Sequence, residues 1–252
     1  MSALIFLTHS FLICFFILLG SIPFILWTKK PHLFDIFWGI GIATSALSML
    51  NLYSNATIFA TNLAACFVII WAFRLSGFLL YTRILTPHHD SRYAILNNTT
   101  LLKTAIKQCF FQSFFQMLLV FTFYPLTFNV ALSSAFIIIG IILFSVGFVF
   151  ESIADYQLYL FKKKQKGICQ AGLWNYSRHP NYFFECLLWF GISVIFIPNK
   201  LFLLSFVGPL TIFLVMYFIT GPLTERASLK KHGIDFQNYR KNTPYFVPFL
   251  KR

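Results

Sequence analysis

The sequence predicts an all-α, polytopic membrane protein with about seven transmembrane helices, its N-terminus outside and its C-terminus in the cytosol. Of the 252 residues, 58% are hydrophobic and only 11% are charged, which is typical of membrane proteins. Apolar runs recur at about the 20 residues that a helix needs to cross a bilayer core of about 30 Å. All but two of the 20 Lys and Arg residues fall in loops that this arrangement places on one side.

The apolar runs give seven candidate spans, near 3–27, 34–54, 57–81, 109–128, 133–155, 181–198 and 201–220. The first is followed by Lys29 and Lys30 without a small-residue cleavage site, so we expect a retained helix and not a signal peptide. Only residues 198–200 separate the last two spans, which predicts a tight helical hairpin. Residues 91–107 alternate apolar and polar positions at helical spacing, which predicts a helix on the membrane surface.

The positive charges orient these spans. Lys200 is the one basic residue predicted on the outer side, and Arg74 lies within the third span. An even number of helices would break this asymmetry, so the charge bias also favours seven. The net charge of +13 is then explained by cytosolic loops and does not require a nucleic acid partner. We predict one integral membrane domain over residues 1–252, in contact with membrane lipid, in the inner or plasma membrane if the source is bacterial.

Three other classes of site are disfavoured. The five cysteines contain no C-x-x-C pair, so neither a disulfide framework nor a zinc site is predicted. His88 and His89 fall in a polar loop, where solvation is more common than metal binding. Gly39 and Gly41 resemble the start of a dinucleotide-binding fingerprint, but they lie in an apolar helix without a surrounding βαβ unit.

The most informative stretch is residues 171–191, AGLWNYSRHPNYFFECLLWFG, which changes from polar and cationic to apolar at Pro180. Proline suits the first helical turn because its missing N–H would have no partner there. The N–H groups and the positive dipole end of such a helix favour an anion just outside it. Arg178 adds a planar, permanently charged group suited to phosphate or carboxylate. We therefore expect this corner to hold a charged cofactor at the cytosolic face.

Three further polar residues share this corner: His179, Asn181 and Glu185. Asn181 and Glu185 lie one turn apart on one face of the predicted helix, at a depth where polar groups are costly unless they serve a site. This pattern favours a cofactor site. The alternative is that Arg178 and His179 only anchor the helix end at the membrane surface.

A second polar cluster lies at the predicted cytosolic end of the fifth span. Glu151 and Asp155 are four residues apart and share a helix face, and Lys162 follows about two turns later. Ionisable groups at this depth line a cavity or pair with one another. Two interpretations remain open: a ladder of ion pairs with the basic loop, or hydrogen-bond acceptors for a ribose or a nicotinamide amide.

The stretch G-L-W, Y-S-R-H-P-N-Y and E-C-L-L-W-F-G resembles the C-terminal core of the steroid 5-alpha-reductase-like membrane proteins, especially their bacterial branch, whose members mostly lack an assigned substrate. Its shorter form R-H-P-x-Y is shared with membrane methyltransferases such as isoprenylcysteine carboxyl methyltransferase. The resemblance covers about residues 30–250 and is most specific over 148–248. It implies a cofactor-binding core at about 148–250.

The resemblance implies that NADPH is the cofactor. Residues 151–162 resemble the family's helix-end element, whose acidic and amide side chains contact NADPH, and Asn181 matches an asparagine that contacts the nicotinamide. T-E-R-A-S-L-K-K-H-G places Arg226 at a phosphate-binding arginine, and the tail continues with Tyr239-Arg240 and T-P-Y-F-V-P. W-A-F-R-L-S-G-F-L-L-Y-T-R matches the third helix. The implied cofactor-binding residues are Arg74, Arg83, Glu151, Asp155, Lys162, Arg178, His179, Asn181, Glu185, Arg226 and Tyr239.

The resemblance further implies hydride transfer to an activated C=C bond of a lipophilic, steroid- or enone-like substrate that enters from the bilayer. The family's proton-donating tyrosine is replaced by Trp71, whose indole N–H donates a hydrogen bond but does not transfer a proton near neutral pH. Tyr53 and Tyr81 are alternative donors. An S-adenosylmethionine-dependent methyltransferase is disfavoured because Thr224 precedes Glu225 where those enzymes carry two adjacent glutamates. A non-catalytic lipid-binding membrane protein is the third alternative.

Overall fold

The structure is a computed structural model that describes residues 1–28, 33–82, 98–130 and 132–250. Within these ranges the chain is helical and contains no strand. The α-helices are α1 (Ala3–Thr28), α2 (Phe34–Tyr53), α3 (Ile58–Leu80), α4 (Asn98–Val120), α5 (Ser134–Lys164), α6 (Pro180–Val194), α7 (Phe202–Ser205), α8 (Val207–Leu214), α9 (Gly221–His232) and α10 (Ile234–Asn242). Two 3₁₀ segments (Phe121–Thr127 and Gly172–Asn175) and a π-helix (Val215–Thr220) complete them.

Six helical stretches of the described chain are long and apolar enough to cross a membrane: Ala3–Thr28, Phe34–Tyr53, Ile58–Leu80, Leu102–Thr127, Ser134–Lys164 and Phe202–His232. They present exposed apolar side chains such as Ile58 and Phe73, as contact with lipid requires. The predicted all-α fold and the multi-pass integral membrane location are therefore confirmed.

The number and orientation of the spans stay predictions. The predicted span 181–198 contains α6, which has 15 residues and is followed by turns. At 1.5 Å per residue, such a helix extends over about 22 Å, less than the bilayer core of about 30 Å.

Helices α4 and α5 extend beyond the spans predicted from the sequence. Helix α4 begins at Asn98, so residues 98–107 form the start of this long helix and not a separate surface helix; residues 91–97 lie outside the described ranges. Helix α5 has 31 residues and continues to Lys164, nine residues beyond the predicted end at 155. The polar end of α5 is therefore helical, and Asp155 and Lys162 lie on one continuous element.

The chain divides into two compact units. The first comprises Met1–Ile137 and Ile195–Gly208, and the second comprises Ile138–Val194 and Pro209–Arg252. The single domain predicted from the sequence stays a prediction. In the first unit, α1, α2 and α4 pack around a core that includes Leu18, Ile25, Phe34 and Cys109.

In the second unit, α5 and α6 approach each other at backbone distance. A Cβ atom at Gly147 would lie 2.7 Å from both the Phe184 carbonyl oxygen and the Leu188 amide nitrogen. A Cβ atom at Gly191 would lie 2.7 Å from the Phe144 amide nitrogen. Small residues permit this close packing of membrane helices. As a result, the start of α6 is held beside the second half of α5, where the polar residues lie.

Candidate functional site

Arg178, just before α6, is buried in contacts with the C-terminal part of the chain. Its side chain is 4% exposed, and Nε donates a hydrogen bond to Glu225 Oε1 at 2.6 Å. Nη1 donates to the carbonyl oxygens of Arg240 (2.9 Å) and Thr243 (2.7 Å). A buried charge requires such a partner. The guanidinium is therefore paired and oriented by the protein's own groups.

His179 lies beside this ion pair in an aromatic enclosure. Its ring stacks on Tyr182 at 5.0 Å between centroids, and Tyr245 meets it edge-on at 5.1 Å. Nε2 lies 3.4 Å from Glu225 Oε1 but makes no hydrogen bond among the described residues. Burial lowers the pKa of His179 below its usual value of 6.5, and Glu225 opposes this shift only in part. The imidazole is therefore neutral at pH 7.

Tyr245 connects this corner to the π-helix. Its hydroxyl donates to the carbonyl oxygen of Tyr217 at 2.7 Å, and the Arg178 Cζ atom lies 5.2 Å from the centre of its ring. A π-helical turn disturbs the regular carbonyl pairing of an α-helix, and turns of this kind are frequent at functional sites. Burial raises the pKa of Tyr245 to about 12, so the phenol remains a donor at neutral pH.

The C-terminal segment 239–249, which we call the C-terminal clasp, also holds the motif Y-S-R-H-P through its backbone. The Tyr239 hydroxyl donates to the carbonyl oxygen of Trp174 at 2.6 Å. The Ser177 hydroxyl donates to the carbonyl oxygen of Phe246 at 2.8 Å. Cofactor binding by Tyr239 stays a prediction from the sequence; in the structure its hydroxyl fixes the loop before α6.

Asn181 and Asp155, which the sequence predicted on neighbouring helices, meet in the structure. Asn181 Nδ2 donates to Asp155 Oδ1 at 3.0 Å. Asn181 Oδ1 is buried and has no hydrogen-bond partner among the described residues. Glu151 and Glu185 are also buried, one turn from Asp155 and Asn181 respectively. We call these four residues the α5–α6 polar face.

Gln157 has a local role that the sequence did not indicate. Its Oε1 accepts a hydrogen bond from the Leu173 amide at 3.0 Å. Gly172 has a φ of +60°, and a Cβ atom there would collide with the Gln157 side chain. Gln157 therefore fixes the turn that leads into the motif, and a glycine directly before Leu173 was the signal for it.

Glu225 is a site residue that the sequence did not predict. It lies in α9 and meets both Arg178 and His179, although it is 47 residues from Arg178 along the chain. The available signal was its place directly before Arg226, inside the tail motif. Arg226 itself is exposed on α9, and Lys162 is exposed near the end of α5.

The remaining predicted residues lie in the first unit. Arg74 is half-buried in α3, with its Cζ atom 5.9 Å from the centre of the Phe78 ring. Trp71 is fully buried, whereas Tyr81 is 50% exposed. The Tyr53 hydroxyl is hydrogen-bonded to His9 Nδ1. Arg83 lies outside the described residues.

Tyr53 and Tyr81 are not brought together. Helices α2 and α3 pack side by side and are joined by the short segment 54–57, so they run in opposite directions. Tyr53 directly precedes this segment at the end of α2, and Tyr81 lies at the far end of α3. The 23 residues of α3 correspond to about 35 Å. These two phenols therefore cannot serve one reacting group together.

No curated protein and no solved structure matches the chain. A family model described as "Protein of unknown function (DUF1295)" matches residues 24–243. The match extends from the end of α1 to the start of the C-terminal clasp and includes Arg178, Glu225 and the α5–α6 polar face. The chain therefore belongs to the DUF1295 family.

Proposed function

We propose that this protein is a membrane-embedded reductase of the steroid 5-alpha-reductase-like type, which uses NADPH to reduce an activated C=C bond of a lipophilic substrate. The single observation that carries the proposal is the buried Oδ1 atom of Asn181, which lacks a hydrogen-bond partner among the described residues. The Nδ2 atom of the same side chain donates to the Asp155 carboxylate. The resemblance of residues 148–248 to those reductases supports it.

The α5–α6 polar face fits a nicotinamide nucleoside. A nicotinamide carboxamide carries an NH₂ donor, which suits the Asn181 Oδ1 acceptor. Asp155 accepts the Asn181 NH₂ group, and this bond fixes which end of the amide points away. Glu151 is an acceptor of the type that ribose hydroxyls require. A buried acceptor without a donor is costly, so binding a donor there is favourable.

The positive charge for the phosphates would come from Arg226 and Lys162. Both side chains are exposed in the second unit. Arg178, which the sequence placed near the phosphates, is already paired with Glu225. In this proposal, Arg178 and the C-terminal clasp shape the corner, and Arg226 and Lys162 attract the anion.

NADPH supplies the hydride, and the residues of this chain bind it, orient it and exclude water. Asn181 and Asp155 fix the carboxamide, which sets the face of the ring that the substrate meets. The sequence names three candidates for a group that polarises the substrate, and they stay predictions: Trp71, Tyr53 and Tyr81. A Trp71 indole would polarise a carbonyl by a hydrogen bond without giving up its proton.

The test is a titration of the purified protein, followed by NADPH fluorescence, with S-adenosylmethionine titrated in parallel by calorimetry. We expect NADPH to bind and S-adenosylmethionine not to bind. Binding of S-adenosylmethionine alone would replace the proposal with the methyltransferase alternative. Binding of neither would favour the non-catalytic lipid-binding alternative. Asn181→Ala is the variant that links any NADPH binding to the α5–α6 polar face.

A further inference from the structure

Helix α4, in the first unit, carries two glutamines on one face within an apolar span. Gln112 and Gln116 are four residues apart, so their side chains are neighbours. The Oε1 atoms of both are buried and have no hydrogen-bond partner among the described residues. Gln116 is fully buried, and its Nε2 donates to the Trp38 carbonyl oxygen at 3.2 Å. That bond orients the amide and leaves its oxygen as an unused acceptor.

The neighbouring helices continue this polar seam. A Cβ atom at Gly41 of α2 would lie 2.8 Å from Gln116 Oε1, so the amide packs directly against the bare backbone. The Cys14 thiol of α1 contacts the Gly41 carbonyl oxygen at 3.6 Å. One turn along, the Ser45 hydroxyl donates to the Ser10 carbonyl oxygen at 3.3 Å. The Ser10 hydroxyl is also buried and without a partner among the described residues.

An amide oxygen without a donor is costly in an apolar interior, and more so where no bulk water is present. The donor for Gln112 and Gln116 must therefore come from outside the described chain. The residues of this seam are neutral, so no carboxylate is present to balance a bound cation. The chemistry that fits is a neutral hydroxyl group.

We propose that Gln112 and Gln116 form a binding site for the hydroxyl group of a lipophilic alcohol that enters from the bilayer. Gln112 lies at the edge of the lipid-facing surface, because its neighbour Phe111 is exposed and it is itself half-buried. An alcohol chain would lie along that surface, and its single O–H proton would be donated to one of the two glutamine oxygens. The proposal is independent of the reductase proposal. Water is the other source of an O–H donor, and the experiment separates the two.

The experiment compares 1-dodecanol with dodecyl methyl ether, which has a similar apolar chain but no O–H donor. Thermal unfolding of the purified protein in detergent is measured with each compound. We expect dodecanol to raise the Tm and the ether to leave it unchanged. An equal rise with both compounds, or no rise with dodecanol, would overturn the proposal; the second result would assign the two oxygens to water.

The variant Gln112→Met keeps the length of the side chain and removes the acceptor. Because the lost oxygen has no partner in the chain, we expect the fold to be retained. Binding of radiolabelled dodecanol should weaken about three- to tenfold, the scale of one hydrogen bond. The control is Gln170→Met, which changes an exposed glutamine in the second unit. If the single variant Gln112→Met and the double variant Gln112→Met/Gln116→Met both bind dodecanol with wild-type affinity, the proposal is wrong.

Discussion

Arg178 donates a hydrogen bond to Glu225 at 2.6 Å, although the two residues are 47 positions apart, Arg178 in the loop before α6 and Glu225 in α9. Both side chains are largely removed from solvent, at 4% and 13% exposure. In such a pair each charge depends on the other, because neither can be hydrated. The conformation of the corner before α6 therefore depends on tertiary folding, which brings Arg178 and Glu225 together.

The first prediction concerns this pair. Arg178→Ala leaves the Glu225 carboxylate and two backbone carbonyls without their donor, so we expect a loss of about 3–5 kcal/mol in the free energy of unfolding. Thermal unfolding of the purified variant measures it. Arg226→Ala is the control, since Arg226 is the exposed neighbour of Glu225. Unchanged stability with lost NADPH binding would instead assign Arg178 to the cofactor, as the sequence predicted.

The second prediction concerns pH. Burial lowers the pKa of His179 in the folded state, whereas the unfolded chain keeps a value of about 6.5. The unfolded state therefore binds more protons below that pH, and the contribution of His179 to stability is present above about pH 6.5 and lost as pH falls. We expect a smaller fall in Tm between pH 7 and pH 5 for His179→Phe, which keeps an aromatic ring, than for the wild type. The control is His232→Gln. If Tm falls with pH equally in His179→Phe and in the wild type, this role of His179 is excluded.

The third prediction concerns Asp155 and Asn181, which share a hydrogen bond. If they hold NADPH, Asp155→Ala and Asn181→Ala should each weaken binding by about 1–3 kcal/mol, the cost of a lost partner in a buried polar site. The double variant should lose less than the sum, because the residues act through one contact. Lys164→Ala, at the exposed end of α5, is the control and should be nearly silent. If Asp155→Ala lowers the Tm without changing NADPH affinity, the residue is structural.

The fourth prediction concerns Tyr245. Tyr245→Phe keeps the ring beside Arg178 and removes only the donor to the Tyr217 carbonyl. We expect a loss of about 0.5–1.5 kcal/mol in stability and faster amide hydrogen exchange confined to the π-helix Val215–Thr220. Tyr176→Phe, at an exposed position whose ring packs against Phe249, should leave that exchange unchanged. An exchange pattern identical to the wild type in Tyr245→Phe would show that the hydroxyl does not stabilise this turn.

The fifth prediction concerns topology. All but two of the 20 basic residues fall in loops predicted on one side, so a reporter fused to the C-terminus should be active only as a cytosolic reporter. Two C-terminal fusions are compared: the first carries a reporter that is active only in the cytosol, and the second carries a reporter that is active only outside it. Activity of the second fusion would reverse the predicted orientation.

The all-α fold and six helices long enough to cross a membrane were predictable because hydrophobic length is a local property of the chain. The exception is α6, which has only 15 residues. Gly147 of α5 and Gly191 of α6 let these two helices pack at backbone distance, and such packing depends on tertiary contact. The sequence placed Asp155 and Asn181 on two successive spans, but it did not predict the hydrogen bond between them. Nor did it predict the partner of Arg178, because the sequence shows a charge but not which distant carboxylate meets it. Gln112 and Gln116 lie in the predicted span 109–128, but the sequence does not show that their amide oxygens lack a hydrogen-bond partner.

The C-terminal clasp is synthesised after the arginine that it holds. The groups that neutralise and orient Arg178, namely Glu225 and the carbonyl of Thr243, are synthesised 47 and 65 residues after it. At about 5–20 residues per second, that interval is on the order of 3–13 s. During this time the nascent chain exposes an arginine that has no counter-charge at the membrane surface. A chain that stops early keeps that uncompensated charge, which distinguishes it physically from a completed one.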